Sequence, residues 1–91
     1  MSRENIKYLQ EIPNIGKVIA KELNLIGIHL PGQLIGNDPY KMYSKLCNAT
    51  NQQQDKCVLD VFISAVRYME GGPAKKWWEF TKERKNKLGQ D

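Results

Sequence analysis

The chain has 91 residues, 41% hydrophobic and 26% charged, with a formal net charge of +4. That is enough apolar material for one folded domain, too much for a disordered chain and too little for two cores. No apolar run approaches the ~20 residues of a membrane span, and Met1-Ser-Arg-Glu-Asn opens without the apolar stretch of a secretory signal, so a soluble cytoplasmic protein is expected.

The charge is unevenly placed. Residues 1–74 carry eight Lys/Arg against seven Asp/Glu, whereas residues 75–91 carry six against three. A basic excess attracts polyanions, nucleic acid foremost, and a solvated helix face is the plain alternative. Cys47 and Cys57 are too few for a disulfide framework and match no zinc spacing. Both sit in apolar-periodic segments and read as core residues, and His29 reads as a packing residue.

In chain order, Ile6, Leu9 and Ile12 predict a helix over 4–11, which Pro13-Asn14-Ile15-Gly16 interrupts. A second helix follows over 16–26, with Ile15, Val18, Ile19 and Leu23 inward and Lys17, Lys21 and Glu22 outward, ended by Gly27. Pro31 to Gly36 is a short connecting helix behind a poor cap, Leu30. Asp38-Pro39 caps and starts a helix over 39–48 whose apolar face is Tyr40, Tyr43, Leu46 and Cys47. A polar loop from Asn48 to Gln54 leads to Asp55, the cap of a helix running to Glu70. Val58, Leu59, Val61, Phe62, Ile63, Ala65, Val66 and Met69 cover well over half of that helix, which places it at the centre of the fold. After Gly71-Gly72-Pro73, a final helix carries Trp77, Trp78 and Phe80 among basic residues. No strand-like alternation occurs, so the expected fold is all-α.

The stretch from Leu9 to Leu23 closely resembles a helix-hairpin-helix motif, whose turn reads apolar–Pro–Gly–apolar–Gly. The match rests on Ile12, Pro13, Ile15 and Gly16, with Ala20 and Leu23 at inward positions of the second helix and Leu25-Ile26-Gly27-Ile28 closing the motif. The residue types suit a phosphate grip. Ile12 and Ile15 anchor the turn, Gly16 removes the Cβ that would block a phosphate, and free N–H groups at the helix start carry the positive end of its dipole. Lys17 and Lys21, one turn apart, would close on phosphates. Asn14 replaces the first hairpin Gly. Asn is the non-Gly residue best suited to a left-handed backbone, but its side chain can crowd a phosphate or compete for a backbone N–H.

Beyond the motif, Gly27-Ile28, Asp38-Pro39-Tyr40, Tyr43-Ser44-Lys45-Leu46-Cys47 and Asp55-Lys56-Cys57-Val58-Leu59-Asp60-Val61-Phe62 resemble the small bacterial "pathogenicity locus" family. That resemblance implies a compact five- to six-helix domain in a helix-hairpin-helix (SAM-like) arrangement, an expectation of DNA binding, and no reaction. Residues 1–74 would form the helix-hairpin-helix domain, and 75–91 a basic, tryptophan-containing helix packed on it or extending it.

The function expected is weak, sequence-independent binding of the DNA backbone through Asn14, Ile15, Gly16, Lys17 and Lys21, with Lys75, Lys76 and Lys82 as auxiliary contacts. The alternative is a protein-interaction module with no nucleic-acid binding, for which Trp77, Trp78 and Phe80 supply an aromatic anchor. Nothing in the sequence assembles a catalytic constellation, a metal set or a cofactor loop, so no enzyme and no cofactor are expected. Cys57, near a helix start, is the one position where a depressed thiol pKa is conceivable.

Overall fold

The computed structural model describes residues 6–89. Four α-helices lie among these residues: α1 (Lys17–Leu25), α2 (Pro39–Thr50), α3 (Lys56–Met69) and α4 (Thr81–Leu88). Three 3-10 turns, Leu9–Glu11, Pro31–Leu34 and Trp77–Phe80, separate or precede them, and no strand occurs among the described residues. The fold is all-helical.

Within the described residues, the helix expected over 4–11 is only the 3-10 turn Leu9–Glu11; residues 4 and 5 lie outside them. Two local effects explain the shortening. The Glu11 carboxylate reaches back to accept from the backbone N–H groups of Lys7 and Tyr8 at 3.0 and 2.9 Å. Ile12 is extended (ψ 134°), the conformation that a following proline favours.

The same device opens the other two 3-10 turns. Gln33 accepts from His29 and Leu30 N–H at 2.7 and 2.9 Å, which makes good the missing cap at Leu30. Glu79 accepts from Lys76 N–H at 2.9 Å. Helices α2 and α3 start on side-chain caps: Asp38 accepts from Tyr40 N–H and Asp55 from Cys57 N–H, both at 2.9 Å. α2 runs two residues past its expected end and stops at Asn51, in the left-handed conformation (φ 53°).

Helix α3 is the centre, with nine of its fourteen residues buried. One face packs with Ile12, Ile15, Leu23, Leu34, Met42 and Leu46 through Val61, Phe62, Ala65, Val66 and Met69. The other holds Phe80 between Leu59 and Ile63, with Tyr40 and Tyr43 at its edge. Of the two thiols, Cys47 is half-buried and Cys57 exposed. The expectation that both belong to the core fails at Cys57 because it stands in the first turn of α3, where the helix emerges from the loop.

Two buried polar residues interrupt the apolar surface of α3. Asp60 is fully buried and pairs with Arg84, Nε to Oδ1 at 2.9 Å, while Thr81 Oγ1 donates to Oδ2 at 2.7 Å. α4 has no apolar face of its own: of its eight residues only Arg84 is buried. Removing one member of a buried pair costs about 3–5 kcal/mol because the other charge is left without a counterpart. The contact that docks α4 is therefore ionic. The exposed Arg67–Glu83 pair at 2.6 Å adds little by comparison.

The turn after α3 depends on one close approach. Gly72 N–H donates to the Arg67 carbonyl at 2.8 Å, and a Cβ on Gly72 would lie 2.8 Å from that same oxygen. We expect Gly72→Ala to destabilise the protein by about 1–3 kcal/mol. Gly32→Ala, where a Cβ meets nothing within 4 Å, should change stability little. Urea unfolding of the two variants checks this: equal midpoints would show that the turn has room to relax.

Candidate nucleic-acid interface

The turn between the first 3-10 segment and α1 is built from its anchors outward. Ile12 and Ile15 are buried, and Ile15 N–H donates to the Ile12 carbonyl at 3.1 Å, closing Pro13-Asn14 into a tight loop. Asn14 has a left-handed backbone, φ 73°. Its carboxamide does not face outward. Nδ2 donates to Ser64 Oγ at 2.8 Å and to the Lys75 carbonyl at 2.7 Å. Rather than standing over Gly16, the side chain is a bridge between the turn, α3 and the C-terminal segment.

With Asn14 turned inward, Gly16 forms an open face. It is exposed and extended (φ −99°), and a Cβ there would meet nothing within 4 Å. Gly16 has no side chain to cap the start of α1, so among the described residues its first N–H groups and the positive end of its dipole are not spent on a side-chain cap. Lys17 and Lys21 are exposed and share a shallow groove with Gln10 and Asn24.

Val18, expected inward, is 70% exposed. Ile19 and Leu23 define the buried direction, and at about 100° per residue Val18 lies about 140° around the helix from Leu23. It therefore shares the lysine face. Glu22, the only acid on α1, sits at the edge of that face. One of its carboxylate oxygens is buried without a hydrogen-bond partner among the described residues, and burial raises its pKa.

The auxiliary lysines divide. The Asn14 bridge holds the Lys75 backbone against the turn, and Lys76 follows directly. The Lys75 ammonium lies 6.0 Å above the Phe80 ring. Lys82 is exposed on α4 and takes no part in this bridge. Trp77 packs against the main core, whereas Trp78 is 56% exposed and meets Trp77 edge to face, with ring centroids 5.5 Å apart.

Ser64 was not foreseeable as a partner of Asn14 from either local stretch. One signal was present: Asp60 and Ser64 are four residues apart, so they form a single polar stripe on an otherwise apolar helix. Buried polar groups need partners, and such a stripe announces that two outside groups must reach it.

Among the described residues no group of three or more His, Cys, Asp or Glu gathers to hold a metal, and no helix is long and apolar enough to cross a membrane. The Cys57 thiol is not activated by its place at a helix start. Partial desolvation, and after it the hydrogen bond and charge of Asp55, push it above the ordinary thiol range.

Fold and surface together define a small all-helical protein with an open, basic, glycine-started helix end. The sequence model of the Pathogenicity locus family matches residues 2–86, and the chain belongs to that family. It is also similar to the mitomycin resistance protein McrB of Streptomyces lavendulae, at 40% identity over 80 residues, covering 88% of this chain and 76% of the relative. No solved structure matches it.

The raised Cys57 pKa has a measurable consequence. At neutral pH the thiolate fraction is small, so a thiol reagent should label Cys57 of the folded protein more slowly than free cysteine, despite its exposure. Asp55→Asn should speed that labelling. Labelling of the wild type faster than free cysteine would contradict the assignment and give the thiol a nucleophilic role.

Proposed function

We propose that this protein binds the DNA backbone weakly and without sequence preference, using the segment 13–17 as the hairpin of a helix-hairpin-helix motif. In this reading Leu9–Glu11 takes the place of the first helix and α1 is the second. Residues 75–89 belong to the same compact SAM-like unit as residues 6–74. Ile15 and Gly16 present the turn, the open N–H groups at the start of α1 meet a phosphate, and Lys17 and Lys21 close on it. Lys75 and Lys76 add positive charge from the side.

The observation that carries the reading is the orientation of Asn14. Its bonds to Ser64 and Lys75 keep the side chain off the face that Gly16 leaves open, and bring the second basic segment to the first. The electrostatics fit: the lysines are exposed, and the only acid on α1 is partly withdrawn from solvent. A protein-interaction role without nucleic-acid binding is the rival reading, and the exposure of Trp78 is what favours it.

The test is fluorescence anisotropy of a labelled duplex titrated with protein at several salt concentrations. Wild type should bind at low salt with a salt slope equivalent to about two to four phosphates. Gly16→Glu, whose Cβ would meet nothing within 4 Å, should lose binding while keeping its helical content. Lys17→Ala should weaken binding about equally on unrelated sequences, because it meets phosphate alone. Binding that survives Gly16→Glu would move the site elsewhere, and no binding by wild type at low salt would leave the rival reading in front.

A further inference from the structure

Trp78 sits where a solvent-exposed indole has no structural task. It is 56% exposed, the neighbouring Trp77 already packs against the main core, and Phe80 fills the second apolar cluster. Its position is nevertheless fixed from several sides. Trp77 meets it edge to face at an interplanar angle of 84°, and Glu79 caps the 3-10 turn that carries both rings. The Lys75 carbonyl is tied to Asn14 of the turn at 2.7 Å. Three Cα steps separate Lys75 from Trp78, so the Cα atom that carries the indole lies within about 11 Å of that of the residue held by the turn. The segment that carries the indole is thus tied to the turn whose Gly16 would grip a strand.

A rigid exposed indole beside Lys75 and Lys76 has the composition of a single-strand platform, in which cations track the backbone and an aromatic face takes a base. We propose that Trp78 stacks on an unpaired base of the strand whose phosphate the turn grips, so that the preferred ligand is DNA with a single-stranded stretch rather than intact duplex. The inference rests on the backbone-binding reading above and adds its substrate class. In a continuous duplex every base is stacked on its neighbours and offers Trp78 no open face.

The experiment compares wild type, Trp78→Ala and Trp78→Phe on three labelled probes of equal length: a duplex, the same duplex with a short gap, and oligo(dT). Thermal melts confirm that the variants fold. Wild type should bind the gapped and single-stranded probes more tightly than the duplex. Trp78→Ala should lose about 5- to 100-fold on those two, the effect of one stacked base, and less than about twofold on the duplex. Trp78→Phe should restore most of the loss. Equal losses on all three probes, or no loss on oligo(dT), would overturn the stacking role while leaving the backbone grip standing. Failure of wild type to bind any probe would overturn both, and concentration-dependent self-association abolished by Trp78→Ala would assign the indole to a second copy of the chain instead.

Discussion

Two hydrogen bonds from one carboxamide organise this surface. Asn14 occupies a left-handed position in a turn between two buried isoleucines, and its Nδ2 reaches both Ser64 in the central helix and the Lys75 carbonyl in the C-terminal segment. Each such bond contributes about 0.5–1.5 kcal/mol net, which is modest for stability. Their geometric effect is larger, because they register three parts of the chain that are 50 and 61 residues apart in sequence. They also keep the carboxamide off the face of Gly16 and the start of α1. A glycine at position 14 would allow the same turn and supply neither bond.

The counterpart of this bridge lies one helical turn away on α3. Asp60 holds Arg84 and Thr81, and through them a helix with almost nothing apolar to bury. Asp60 and Ser64 therefore form a polar seam along the most buried helix, one end fixing α4 and the other fixing the turn. Such groups are satisfied rather than strained: Asp60 accepts from two side chains and Ser64 from one. The seam explains how a basic C-terminal segment can stand close to the turn without an apolar face to bring it there.

Much of what depends on neighbours in sequence was legible. The Ile12-Pro13-Asn14-Ile15-Gly16 turn, the Asp38 and Asp55 caps and the apolar surface of α3 are local patterns, and the structure reproduces them. The 3-10 character of the short segments was less accessible, because it comes from Glu11, Gln33 and Glu79 folding back on their own N-terminal backbone. Val18 was misplaced because a nine-residue helix with several apolar residues admits more than one inward direction until its partner is known. The Asn14–Ser64 and Asp60–Arg84 contacts were out of reach, since each joins residues that only the assembled fold brings together. Their one trace was the polar pair on α3, and it named no partner.

The central claim is that Asn14 assembles one binding surface from two basic segments, and Asn14→Gly tests it most directly. Glycine keeps the left-handed turn, leaves Gly16 and both α1 lysines in place, and removes only the bridge to Ser64 and Lys75. The measurement is the salt dependence of duplex affinity for wild type and variant side by side. The account predicts weaker binding by the variant and a salt slope smaller by about one to two phosphates, as Lys75 and Lys76 lose their register with the turn. An unchanged slope and affinity would contradict it, and would show that the α1 helix start binds without help from the C-terminal segment.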